Sequence, residues 1–186
     1  MRGEILWLDM EMTGLEPDVD RPLEVAAVAT DWNFKTVAEF CAGIAQPAEV
    51  ISPLLDANPF YKKFPKNKRS LLELCALARP LAEVERQLLD FAAAHFDTGQ
   101  PLLLAGNSVH QDRRFIRQYF PRLERLLHYR MLDVSAWKVV FESKYGLKFA
   151  KKETHRAVDD IQESIAELKF YLKQVKTGKP VASPES

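Results

Sequence analysis

Two carboxylates spaced two residues apart, Asp9 and Glu11, end the apolar run Ile5-Leu6-Trp7-Leu8. In an extended strand, side chains at i and i+2 leave the same face, so both acids converge on one spot. Charge at the end of a buried strand is costly unless something offsets it. Either the strand stops at Leu8 and the acids are solvated, or they hold a hard divalent cation such as Mg²⁺, which takes carboxylate oxygens. Two further acids bear on that choice. Asp112 lies one turn before Phe115 and Ile116, on the apolar side of a helical pattern. At about 100° per residue, Asp160 shares the inward side of its helix with Ala157, Ile161 and Ser164, whereas Asp159 turns outward with Gln162 and Glu163. Acids near helix starts also serve as caps and satisfy the dipole. Four of them, each on the apolar side of its element, favour the cation. His155 stands five residues before Asp160. An imidazole with a pKa of about 6.5 can take a proton from water near neutral pH, although a lone histidine is more often structural than catalytic. His95, His110 and His128 lack that context, with His110 close to Asp112.

The elements that must position these groups are legible in outline. Residues 5–11, 23–30 and 35–45 predict strands, the last two joined by a hairpin turn at Asp31-Trp32-Asn33-Phe34. The stretch 51–80 carries Pro53, Pro59 and Pro65 and the cations Lys62, Lys63, Lys66, Lys68 and Arg69, which predicts short helices and a mobile basic loop. From Leu81 the spacing of Val84, Leu88 and Phe91 is helical. Leu102 to Ala105 predicts a buried strand before Gly106-Asn107, residues 111–120 a helix stopped by Pro121, and 129–133 a short strand. A helix over 135–145 would pack through Trp137, Val140 and Phe141, and one over 156–173 through Ile161, Ile165, Leu168 and Leu172. Strands first, then helices alternating with short buried strands, make an α/β layered fold with a mixed sheet.

With 186 residues, the chain reads as one domain over 1–175 and a frayed tail over 176–186 that holds Gly178, Pro180 and Pro184. Its composition, 47% apolar and 28% charged, excludes disordered, collagenous and disulfide-stapled classes. No apolar run approaches the roughly 18 residues of a membrane span, and the first residues lack a signal segment, so a cytoplasmic protein is expected. Two cysteines, Cys41 and Cys75, are too few for a cysteine zinc cluster or a disulfide framework. Twenty-six Lys and Arg balance twenty-six Asp and Glu. A protein gripping long nucleic acid usually carries a basic excess, so the balance points to a short substrate or a local basic patch.

Three blocks, DMEMTGL from Asp9, GNSVHQDRRF from Gly106 and HRAVDDIQES from His155, together strongly resemble oligoribonuclease, among the 3′→5′ exonucleases built on four acids and a histidine. The resemblance runs from about residue 4 to 173. It implies a ribonuclease-H-like three-layer fold and two Mg²⁺ or Mn²⁺ ions. Asp9 would bridge them, Glu11 and Asp160 would complete one shell, Asp112 would act partly through water, and His155 would be the general base. The products would be nucleoside 5′-monophosphates, and the substrates short RNA oligonucleotides, dinucleotides above all. Leu15 would wedge beside the bases. Ser108, Arg130 and Ser135 would cap a phosphate, helped in a homodimer by the partner subunit's Tyr129. The sequence departs from the family in having His110 where glycine is common. It also lacks the usual segment with a base-stacking Trp and a His. A rough alignment places Tyr61 near the Trp and Lys66 near the His, and Tyr61, Phe60 or Phe64 could stack on a base instead. Two other functions stay open: an exonuclease with broader length or DNA specificity, and a noncatalytic nucleotide-binding module. The intact set of five argues against the module.

Overall fold

Alternation along one strand sets the layers. In the computed structural model, which describes residues 2–97, 99–150 and 157–176, β1 spans Ile5–Met12. Its even residues Leu6, Leu8 and Met10 enter one apolar cluster, while Ile5 and Trp7 enter another on the opposite face. Next in the chain come β2 (Pro22–Thr30) and β3 (Thr36–Gly43), antiparallel to β1 and β2 respectively. The turn between them is the expected one: Phe34 takes a φ of 59° and its N–H donates to the Asp31 carbonyl at 2.9 Å.

Three helices follow: α1 (Ala48–Ala57), α2 (Pro59–Lys63) and α3 (Pro65–Leu77). The expected mobile basic loop is therefore corrected. Lys62 and Lys63 sit on α2, and Lys66, Lys68 and Arg69 on α3. Pro59 and Pro65 each occupy a first helical turn, where a missing N–H costs nothing, so they open helices rather than break them.

The helix α4 (Leu81–His95) precedes β4 (Leu102–Gly106). Then come α5 (His110–Tyr119), α6 (Pro121–Glu124), β5 (Leu127–Asp133), α7 (Val134–Tyr145) and α8 (Ala157–Leu172). The sheet runs β3-β2-β1-β4-β5, with β4 parallel to β1 and β5 parallel to β4. Val84 and Leu88 of α4, Phe115 and Ile116 of α5 and Leu123 of α6 cover the even face of β1; Phe141 of α7 and Ile161, Ile165 and Leu168 of α8 cover the odd face. This mixed five-stranded sheet between helical layers is a ribonuclease-H-like α/β fold. One packing expectation changes: Phe141 is buried, but Val140 is 49% exposed and lines an open apolar hollow with Trp137. Among the described residues no helix is long and apolar enough to cross a membrane.

Candidate active site

Because Asp9 and Glu11 continue the odd face of β1, they point toward α8, where Asp160 sits one turn before the buried Ser164. The strand does not stop at Leu8; it runs to Met12 and carries both acids inside it. One carboxylate oxygen from each of Asp9, Glu11 and Asp160 lies within 4.8 Å of the other two. Burial first, then the charges of Asp160 and Glu24, push Glu11 up to about 7. Glu24 faces Glu11 directly across β1 and β2, and like charges placed opposite one another are unfavourable. Three carboxylates brought so close together, all hard oxygen donors, fit a divalent cation of the Mg²⁺ or Mn²⁺ kind.

Asp112 stands beside this trio rather than in it. It is buried in the first turn of α5, and its Oδ1 accepts the backbone N–H of Met10 at 3.0 Å. Burial, ahead of the charges on Asp133 and Glu11, pushes Asp112 up to about 7 against two backbone hydrogen bonds that lower it. Gly106, the last residue of β4, lets that strand end lie close against β1, since a Cβ there would lie 2.8 Å from the Leu8 carbonyl oxygen.

A cavity of about 370 Å³ opens from the acids and is lined by Asp9, Asn107, Ser108, Ser135, Lys138, Asp160 and Ser164. Asp133 organises its far wall. Its Oδ1 accepts from Ser108 N at 2.9 Å, Ser135 N at 2.9 Å and Ser135 Oγ at 2.6 Å, and Oδ2 meets His110 Nδ1 at 3.3 Å. Burial alone would raise Asp133, but the bonds from Ser135, His110 and Ser108 outweigh it and leave the carboxyl below its usual range. Ser108 itself holds a φ of 56°, a strained backbone for a residue with a Cβ, and the Asp133 bond helps to fix it.

The exonuclease family profile (RNase_T) matches residues 6–168. Oligoribonuclease of Bordetella pertussis is 42% identical over 177 residues, covering 93% of this chain and 96% of that protein. Oligoribonuclease of Hahella chejuensis is 39% identical over 181 residues, covering 91% and 93%. The chain belongs to the oligoribonuclease family. It is accordingly a phosphodiester hydrolase of the exonuclease type. Among solved structures, an Escherichia coli exonuclease I–single-stranded DNA complex superposes with a TM-score of 0.64 at 15% identity, over 94% of this chain. The chain spans 41% of that protein, and the likeness is one of fold.

Within this oligoribonuclease-family chain, the remaining expected residues are scattered around the trio. Leu15 is 56% exposed, on a loop braced by Asp20, whose carboxylate accepts from Thr13 Oγ1 and Glu16 N at 2.8 and 2.9 Å. Ser108 and Ser135 line the cavity, whereas Arg130 and Tyr129 are exposed on β5, the sheet's edge strand, and are not among its lining residues. The Arg130 guanidinium lies 5.1 Å from the Tyr129 ring centre. Tyr61 requires a correction. It is only 3% exposed, with its ring among Leu23, Ile51 and Leu55 and its hydroxyl donating to the Met12 carbonyl at 2.7 Å. It offers no face to a base; Phe60, 38% exposed, is the more accessible ring. His155 lies outside the described residues, as does most of the expected tail.

Sequence reasoning missed Lys138, Asp133 and Glu24. Lys138 follows Ser135 by three residues on one helix, a spacing that shares a face. Asp133 precedes α7 as an N-cap, and Glu24 interrupts an apolar strand, which is the same signal that singled out Asp9.

Proposed function

We propose that this enzyme is a 3′→5′ exoribonuclease that removes terminal nucleotides from very short RNAs, dinucleotides above all, and releases nucleoside 5′-monophosphates. The meeting of Asp9, Glu11 and Asp160 at one end of a cavity with serine hydroxyls at the other carries this reading. The trio would hold two Mg²⁺ or Mn²⁺ ions. Bound there, such ions lower the pKa of an attacking water and stabilise charge on the leaving 3′ oxygen. Asp112, fixed by the Met10 amide, orders solvent beside Glu11. His155 is proposed as the general base on sequence grounds, five residues before Asp160. Hydroxyls of Ser108 and Ser135 and the ammonium of Lys138 face the cavity and suit a substrate phosphate. Leu15, exposed on its braced loop, is placed to wedge against a base.

A limited cavity and a zero net charge both favour a substrate with few phosphates. A second copy of the chain would complete the phosphate end by bringing the partner subunit's Tyr129 toward Arg130. The open edge of β5 and the exposed Met131, Val139, Val140 and Tyr145 support such a homodimer. Cys41 and Cys75 are not joined in a disulfide, which accords with a reducing cytoplasm.

The test is a length series. The protein is incubated with 5′-labelled RNAs and DNAs of two to twenty nucleotides, in Mg²⁺ and in Mn²⁺. Preferential loss of RNA dinucleotides supports the reading. Comparable rates at every length, or on DNA, would make this a broader exonuclease, and no cleavage in either metal would leave a nucleotide-binding module.

A further inference from the structure

We infer that Glu167, buried beneath the cavity, orients the Asn107 amide as the group that reads the ribose 2′-hydroxyl of the substrate. Its effect is to favour RNA over DNA. This deepens the nuclease reading and rests on it. Strand register places the asparagine. β1 and β4 run parallel with Trp7 beside Ala105, and two residues further along each strand direction stand Asp9 and Asn107. Asn107 is thus level with an acid of the trio and adjacent to Ser108, and all three line the cavity.

Spacing along α8 accounts for the buried acid. Asp160, Ser164, Glu167 and Tyr171 are four, three and four residues apart and share one helix face. The first two line the cavity, whereas Glu167 is 1% exposed and lies deeper. Its Oε1 accepts the Tyr171 hydroxyl at 2.9 Å, and its Oε2 accepts Asn107 Nδ2 at 3.3 Å. A carboxylate has no proton to donate, so it decides which end of the amide it meets. The nitrogen is committed to Glu167 and the oxygen is left for the cavity. Asn107 Oδ1 accepts no hydrogen bond among the described residues. Ser108, Ser135 and Lys138 bring donors that suit a phosphate, while Asn107 brings an acceptor, which suits a hydroxyl. A dinucleotide with its scissile phosphate at the acids and its 5′ phosphate at the serines carries the ribose of its 5′ nucleotide between them, past Asn107. The 2′-hydroxyl is the group on that sugar that DNA lacks, and it can donate to a fixed oxygen.

The experiment uses three 5′-phosphorylated dinucleotides that differ only at the 2′ position of the 5′ nucleotide, which bears hydroxyl, hydrogen or fluorine. In Mg²⁺, kcat/KM is measured for the native chain, Asn107→Ala and Glu167→Gln, each relative to the same protein's value on the deoxy substrate. Such ratios are blind to damage that merely lowers the amount of active protein. The native chain should favour the ribo substrate by about tenfold, and Asn107→Ala should bring that preference within about twofold of none. Glu167→Gln can keep the Tyr171 bond on Oε1 and then offers Nε2 to Asn107, which turns its own oxygen inward and its nitrogen to the cavity. Fluorine accepts but cannot donate, so this variant should raise the fluoro-to-deoxy ratio about threefold above the native value. Asn107 is half-buried, so its truncation decides the matter should Glu167→Gln fail to fold. A native ribo-to-deoxy ratio in Asn107→Ala, or a native fluoro-to-deoxy ratio in folded Glu167→Gln, overturns the inference. If the native chain cleaves ribo and deoxy substrates equally, the inference fails and the nuclease reading stands. If it cleaves none of them, the nuclease reading fails, and the same ratios, read as affinities by calorimetry in Ca²⁺, decide the inference.

Discussion

The Asp112 carboxylate accepts the backbone N–H of Met10 at 3.0 Å, joining the first turn of α5 to the residue that separates Asp9 from Glu11. The bond needs an acceptor, not a charge. Asp112→Asn keeps an oxygen for the Met10 amide while removing a negative charge beside Glu11. Its melting temperature in EDTA at pH 8 should therefore equal or exceed that of the native chain, and its turnover in Mg²⁺ should fall by about 10–100-fold. Asp112→Ala leaves a buried N–H unsatisfied and should cost about 1–3 kcal/mol. Thermal melts and dinucleotide hydrolysis separate the two effects, and native turnover by Asp112→Asn would remove Asp112 from the chemistry.

Much of this geometry was legible because it follows from periodicity. The two-residue period of β1 puts Asp9 and Glu11 on the face of Trp7, and the helical period of α8 puts Asp160 on the face of Ile161, so their meeting needs only the two elements to pack. Periodicity does not say which ring of a Phe-Tyr pair faces inward. Tyr61 read as a base platform because an aromatic spacing looks alike whether its partner is a base or a core. Likewise Pro59 and Pro65 punctuate the chain in either a loop or a series of helix starts, and only the packing of α3 through Leu71 and Cys75 decides. Asp133 escaped notice since its local bonds to Ser135 look like an ordinary helix cap, while Ser108 and His110, which tie it to the site, lie more than twenty residues away.

Crowded carboxylates give the stability a definite pH slope. Glu11 and Asp112 each titrate near 7 in the folded chain and near the ordinary carboxylate range when unfolded. The folded state thus holds more protons between about pH 4 and 7, and stability falls as pH rises through that window. Melting temperature in EDTA should decline from pH 5 to pH 8 on account of these groups. Divalent cations bind the deprotonated carboxylates and displace their protons, so added Mg²⁺ or Mn²⁺ should raise the melting temperature strongly at pH 8 and little at pH 5. Equal metal shifts at the two pH values would show that the trio is not where the ions bind.

Removing the Asp133 carboxylate should damage substrate binding more than chemistry. Asp133→Ala loses the cap of α7, worth about 0.5–2 kcal/mol, and also frees the strained Ser108 backbone and the Ser135 hydroxyl. The expected kinetic result is a KM for dinucleotide raised by about tenfold with kcat changed far less, as for lost ground-state binding. Asp133→Asn, which keeps one acceptor oxygen, should recover most of that loss. The depressed pKa adds a pH signature of its own: this contribution to stability is complete above the unfolded carboxylate value and is lost as pH falls through the folded one. An unchanged KM in Asp133→Ala would mean that Ser108 and Ser135 do not contact substrate.

Tyr61 supplies a sharper separation of core from platform. Its ring packs among Leu23, Ile51 and Leu55, and its hydroxyl is the hydrogen-bond donor that ties α2 to the Met12 carbonyl. Tyr61→Phe keeps a ring that could stack on a base equally well but removes the donor, so it should cost about 1 kcal/mol in urea unfolding. Turnover should stay close to native, because the aromatic face was never available to substrate. Phe60→Ala reverses the pattern: being 38% exposed, the ring adds less to the core, and a role in holding a base would show as a raised KM with a nearly native urea midpoint. A stability loss without a kinetic change in Tyr61→Phe, set against a kinetic change without a stability loss in Phe60→Ala, would assign the two adjacent rings to different tasks. The converse result would return Tyr61 to the substrate site.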